Sequence, residues 1–342
     1  MTMRAIGITY DTGFFHRGHC THEPFTPEGV REDMRAIREE LGCDAVRVTG
    51  GDRHRLRLAA RCAADAGLEV WLCPFTNEVA ADDLLEFLGD CADYAESLRS
   101  EGARVVLALG SELSLFVPGF LPGDTFTERA ALLSTPRLAE LLPELSARIN
   151  AFLTRAVAVA RRSFTGPLTY CSLPFEGVDW TPFDYVATDA GYRSAELADG
   201  YRARIRAAAT GPTPLAITEF GCATYRGAPD AGPRGGDIVV WDPETAHPLA
   251  LDGDHTRDEA GQAAHLLELL DVFDAEGVDI AFWYTFASYH LPHRDDPRTD
   301  LDLASNGVVK VHDPARRTSA RRWEPKAAFA ALARRTSGTT AS

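Results

Sequence analysis

Two glutamates stand where chemistry could be done. In Pro214-Leu-Ala-Ile-Thr-Glu-Phe-Gly221 an apolar run of strand length delivers Glu219 and then a glycine; in Arg104-Val-Val-Leu-Ala-Leu-Gly-Ser-Glu112 a second run delivers Glu112. A strand buried on both faces reads as an unbroken apolar run, so a carboxylate at its end is lifted onto the rim of a sheet. Two carboxylates facing one glycosidic bond divide the labour: one, kept protonated, gives its proton to the leaving oxygen, and the other, kept ionised, attacks the anomeric carbon. Spacing alone equally allows each to be a structural acid paired with an arginine.

The elements that must bring the two together can be read from periodicity. Strands are expected over 5–10, 45–49, 68–75, 104–110, 167–173, 185–190, 215–219 and 280–286. Helices are expected over 27–41, 52–66, 81–100, 137–162 (interrupted near Pro143), 194–209, 257–276 and 326–334. The first helix shows the pattern plainly: Val30, Met34, Ile37 and Leu41 share one face, and Gly42 stops it. Eight strands alternating with helices predict an α/β fold, a (β/α)8 TIM barrel of one domain over 1–335, with a small, polar, disordered tail at 336–342. No G-x-G-x-x-G follows the first strand and no P-loop is present, so the commonest cofactor signals of open sheets are missing and no cofactor is expected.

In such a barrel the residues just after each strand converge on one pocket. That places Glu112 and Glu219 together, with Asp11 and Glu78 near the same rim as candidates for substrate hydroxyls or as plain surface acids. The connections after the seventh and eighth strands, 222–256 and 287–322, are too long for simple turns and are candidate lids or walls. His16, His19, Cys20 and His22 follow the first strand, and His290 and His293 the eighth, so these loops lie side by side. They could hold a metal, contact substrate through groups such as His16, or stay solvated. H-x-x-H in a loop lacks the fixed geometry of H-E-x-x-H on a helix, so no metal is assigned.

The balance of the chain narrows its partners. Over 342 residues the net charge is -15, which repels phosphate backbones and anionic lipid and disfavours nucleic acid and membrane surfaces as partners. Only Lys310 and Lys326 are lysines, and no basic run forms a patch. Seven cysteines without a C-x-x-C pair suit buried thiols in a reducing cytosol better than a disulfide framework. The absence of a signal-like start or an apolar run of 18 residues completes the expectation of a cytoplasmic protein.

Gly110-Ser-Glu-Leu113 after the fourth strand, Ile217-Thr-Glu-Phe-Gly221 after the seventh and Phe282-Trp-Tyr-Thr285 on the eighth together resemble clan A, the "4/7" superfamily of retaining glycoside hydrolases. The resemblance implies Glu112 as general acid/base and Glu219 as nucleophile. It also implies that Arg47 supports the nucleophile, Tyr192 hydrogen-bonds it, and Trp283 floors the first sugar subsite. An ion pair lining the barrel for Arg47 and core filling for Trp283 are the alternatives. The family usually has Asn before its acid/base, binding the sugar 2-hydroxyl, where this chain has Ser111. The expected substrate is a small glycoside or glycosylated metabolite, cleaved by double displacement. The alternatives are a barrel repurposed for transglycosylation or a non-hydrolytic step in specialised metabolism, and a catalytically silent binding or defence protein.

Overall fold

The computed structural model describes residues 3–16, 18–313 and 321–339. Eight strands close into a barrel: β1 (Ala5–Asp11), β2 (Ala45–Gly50), β3 (Glu69–Pro74), β4 (Val105–Ser111), β5 (Leu168–Ser172), β6 (Val186–Thr188), β7 (Leu215–Phe220) and β8 (Ile280–Trp283). All neighbours are parallel, and closure comes from β1, which pairs Thr9 with Arg47 of β2 and Gly7 with Phe282 of β8. The expected fold class is therefore the observed one.

Helices α1 (Pro27–Arg35), α2 (Arg53–Asp65), α3 (Ala81–Ser100), α4 (Arg137–Ala160), α5 (Tyr201–Ala209), α6 (Glu259–Glu276) and α7 (Ala327–Thr339) pack around the strands. Short polar side chains start three of them: Thr26, Asp52 and Asp258 each accept a hydrogen bond from a first-turn amide. No helix among the described residues is long and apolar enough to cross a membrane.

The helices depart from expectation at several places: α1 widens into a π-helical turn over Ala36–Glu40 before Gly42. α4 runs through Pro143 without a break; the carbonyl that the proline leaves unpaired belongs to exposed Ala139, where water can replace the lost bond. α5 begins at Tyr201 rather than at Ser194, because Gly200 sits left-handed at φ 74° and ends the preceding turns. α7 continues to Thr339, so 336–339 are helical rather than disordered; buried Thr336 anchors that end by donating to the Leu41 carbonyl at 2.6 Å. Residues 340–342 of the expected tail lie outside the described residues.

Side-chain alternation divides the core into two layers. Ala5, Ala45, Trp71, Val106, Ala187, Ala216, Ile280 and Phe282 fill the barrel, with Cys73, Ala108 and Cys171 as a further interior cluster. The other parity of each strand, including Val46, Leu107, Ile217 and Trp283, packs outward against the helices. Two register shifts interrupt this alternation: four residues of β4 (Ala108 to Ser111) match three of β5 (Thr169 to Cys171), and β7 gains a residue on β8 before Phe220. Both fall on the strands that carry the two glutamates. A bulge re-aims the side chain that follows it.

The long connections are built rather than open. After β7 come two short helical turns and the hairpin Val239–Trp241 with Pro248–Leu251; after β8 come a turn at Leu301–Ala304 and the strands Val309–Val311 and Trp323–Pro325. All seven cysteines are free and buried.

Candidate active site

Strict alternation on β4 puts Ala108 inside the barrel and Ser111 outside. The bulge reverses Ser111, whose hydroxyl donates to Asp189 Oδ2 at 2.6 Å and accepts from Arg47 Nη2 at 3.1 Å. The chain then turns sharply: Glu112 is left-handed at φ 46°, ψ 45°, a conformation that costs a non-glycine residue about 1–3 kcal/mol. Its surroundings hold that turn. Glu112 N donates to Cys171 O (3.0 Å), Leu113 N to the Tyr170 hydroxyl (2.8 Å) and Ser114 N to Glu176 Oε1 (3.0 Å). Tyr170 in turn donates to Glu176 Oε2 at 2.8 Å, so buried Glu176 pins both amides that follow Glu112. The Glu112 carboxyl itself has no hydrogen bond to the described residues.

On β7 the extra residue turns Glu219 inward. Its Oε1 accepts from the Tyr192 hydroxyl at 3.0 Å, and its Oε2 from Arg47 Nη1 at 3.4 Å. Two glycines make the close approaches possible: a Cβ at Gly191 would lie 2.8 Å from Glu219 O, and one at Gly221 would lie 2.5 Å from Tyr284 O. Arg47, fully buried on β2, is the hub. One guanidinium reaches Glu219, Ser111 and, at 3.4 Å, Asp189.

Oxygens of Glu112, Asp189 and Glu219 all lie within 4.8 Å of one another. Three carboxylates around one arginine leave an excess of negative charge that the site relieves by holding protons. Burial, then Glu219 and Asp189, push Glu112 well above the usual carboxylate range. Burial and Asp189 push Glu219 up to about 8, against the opposing pull of Arg47 and the Tyr192 hydroxyl. Tyr192 is itself driven upward by burial and by Glu219, so it stays a neutral donor.

That charge excess costs stability in a defined pH window. Carboxyls whose folded pKa exceeds the ordinary 4.5 bind more protons folded than unfolded, so stability falls as pH rises from there through the raised values. Glu112→Gln keeps the shape and removes the titration. It should stabilise the protein by about 1–2 kcal/mol near pH 8 and by less near pH 5. Urea unfolding of both proteins at the two pH values checks this, and equal gains at both would refute the electrostatic origin.

Of the expected site residues, Glu112, Glu219, Arg47, Ser111 and Tyr192 come together. Trp283 does not: it is fully buried in the outer layer, edge-on to Phe220, with its indole donating to Asn306 O at 2.8 Å. Ile280 and Phe282 face the barrel, so Trp283 faces the helices and Tyr284 turns toward the site, where burial and then the charges of Glu219 and Asp11 push its hydroxyl well above the usual phenol range. Asp11 is committed to its own loop, its oxygens accepting from Gly13 N (2.8 Å) and Thr21 Oγ1 (2.9 Å). Glu78 likewise binds Phe126 N and Arg129. His16 belongs to the short strand Phe15–His16, and its side chain lies outside the described residues.

The histidine loops do lie side by side, but their rings serve separate contacts. His22 bonds Asp11 O and stacks on Tyr289, His19 packs on His247, and His293 bonds Asp300. Burial drives His22 down to about 3 and His290 to about 4, so both rings are neutral. Among the described residues the group close enough to share a cation is the three carboxylates, two of which Arg47 already contacts.

Asp189, Tyr284 and Glu176 are the site residues that the sequence reading missed. Asp189 sits directly after β6 in Ala187-Thr-Asp-Ala-Gly191, a rim position like that of Glu112, and that placement was the available signal. Glu176 carried none, because its role depends on a turn packed beneath β4.

No protein-family model matches the chain, and no curated protein matches it by sequence. Its fold does match solved structures. A GH113 β-1,4-mannanase superposes with TM-score 0.62 at 13% identity, covering 98% of this chain and 99% of its own. The GH113 β-mannanase AaManA from Alicyclobacillus acidocaldarius in complex with ManMIm gives 0.57 at 14%, over 98% and 97%. A GH5_18 protein from Bifidobacterium longum subsp. infantis gives 0.51 at 17%, over 98% and 79%. At these identities the likeness is one of fold, and the chain has the (β/α)8 barrel that these GH113 and GH5 structures share.

Proposed function

We propose that this protein is a retaining glycoside hydrolase acting on a small glycoside or glycosylated metabolite. The observation that carries the reading is the nearness of Glu112 and Glu219, which bring one carboxylate oxygen of each within 4.8 Å, an approach that favours the shorter of the two separations used by glycosidases. Carboxyl groups about 5–5.5 Å apart suit a nucleophile and an acid/base, whereas inversion needs about 6.5–9.5 Å to admit a water between them.

The roles follow from what each group touches. Glu219, with Arg47 and Tyr192 both donating to it, is the carboxyl better held as an anion, and it attacks the anomeric carbon. Glu112, with no donor and the larger upward push, keeps its proton for the leaving oxygen. In the second half Glu112 takes a proton from water, which then releases the sugar from Glu219. The Ser111 hydroxyl already donates its one hydrogen bond to Asp189, so toward substrate it accepts rather than donates.

A panel of aryl glycosides tests the reading: turnover with the product released in the substrate's own anomeric configuration by NMR supports it, and inversion ends it. The pH dependence is also fixed in sign. Activity requires Glu219 ionised, so kcat/KM should rise with pH through about 8 and fall only where Glu112 deprotonates. Asp189→Asn removes a charge that raises Glu219, so the acid limb should move down by about 1 unit. A limb left in place would remove Asp189 from the electrostatics of the nucleophile.

A further inference from the structure

An α-helix follows every barrel strand except β5. Between Ser172 and Val186 the chain makes only the short turn Pro174–Glu176, so the outer face of β5 and β6 lacks the helix that would cover it. A cavity of about 410 Å³ occupies that slot. Val186 and Leu215, paired across β6 and β7, lie at its base; half-buried Trp180 and Leu197, which is 42% exposed, form its walls.

Two residues give the slot chemistry. Exposed Arg204 lines it, and its guanidinium donates only to the carbonyls of Asp199 (3.0 Å) and Leu197. It has no carboxylate partner among the described residues, in a chain of net charge -15. Tyr192 also lines the slot, while its hydroxyl donates to Glu219 at 3.0 Å. One residue thus borders the cavity and reaches the candidate nucleophile.

We propose that this slot binds a single-chain carboxylate of the fatty-acid type, head group on Arg204 and chain against the apolar walls, and that occupancy is read at Glu219 through Tyr192. A cavity of this size falls in the range that holds small molecules. A planar guanidinium without an anion beside apolar surface is matched by a carboxylate, which it binds bidentately, joined to an alkyl chain. A chain packed against the Tyr192 ring restricts how that ring turns its hydroxyl toward Glu219.

The binding claim is independent of the hydrolase reading, and its test does not need turnover. Titration of the full chain with decanoate, below its micelle concentration, should show saturable one-site binding by calorimetry. Arg204→Ala should weaken it about tenfold, as loss of one charge-assisted contact does, and decanol should bind correspondingly less well. Ala208→Phe, from an exposed position of α5 that lines the slot, should abolish binding while thermal melts confirm that both variants fold. Absence of saturable binding, or binding indifferent to both variants, overturns the site. A dimer in light scattering that Ala208→Phe dissolves would assign the slot to a second copy instead. With an aryl glycoside that the protein cleaves, decanoate should change kcat/KM in the wild type and not in Ala208→Phe; binding without that change overturns the link through Tyr192. If no aryl glycoside is cleaved, the hydrolase reading fails while calorimetry still decides the site.

Discussion

Glu219→Ala should lower turnover of an aryl glycoside on the order of 10⁴-fold or more, the scale on which removing one member of a covalent catalytic unit acts. The truncation leaves a gap on the face from which Glu219 would attack. Azide is small enough to enter it and needs no general base, so it should restore part of the rate and give a glycosyl azide of inverted configuration. Inversion is the informative outcome: one displacement replaces two, which reports that the wild type uses two. Arg47 and Tyr192 keep the gap shaped, since both contact Glu219 from buried positions. Turnover unchanged in Glu219→Ala would remove this residue from the nucleophile's role, and rescue with retained configuration would point to a different attacking group.

Arg47→Met should be the most destabilising single change at the site, by about 3–5 kcal/mol, the cost of stripping a buried charge of its partner. Arg47 and Asp189 are both fully buried, and without the guanidinium Asp189 keeps only the Ser111 hydroxyl on one oxygen and nothing on the other. Arg47→Lys should rescue little, because a point charge cannot serve Glu219, Ser111 and Asp189 at once. Removing the orphaned anion as well separates charge from packing: Arg47→Met with Asp189→Asn should recover part of the loss in a double-mutant cycle by urea unfolding. A single-variant cost under about 1 kcal/mol would place Arg47 among weak surface-like pairs and end its role as hub. Arg47→Met should also push Glu219 further up, since Arg47 opposes its rise, and so slow catalysis near neutral pH.

The eight strands, their order and both glutamates were legible because burial on two faces forces long apolar runs, and a carboxylate ending such a run stands out. Arg47 and Tyr192 were legible through resemblance. Trp283 was misplaced although the signal was present: Ile280 and Phe282 share one parity of β8, and Trp283 has the other. The helix ends at Gly200 and Thr339 were not legible from periodicity, because a left-handed glycine and one buried hydroxyl set them.

Glu219, on the stretch from Pro214 to Gly221, thus owes its rim position to sequence, as Glu112 does on its own strand, since hydrophobic periodicity is a local property that survives without coordinates. Tertiary structure decided what those glutamates face. Two bulges turn Ser111, Glu112 and Glu219 toward one arginine, Asp189 arrives just after β6 to accept the hydrogen bond of the Ser111 hydroxyl, and Glu176 clamps the turn from below. The brief connection between β5 and β6 was legible in the sequence, and what the structure adds is the slot that it leaves behind Tyr192. The inward turn of Ser111, Glu112 and Glu219 depends on register between strands distant in sequence, where a shift of one residue exchanges inside for outside.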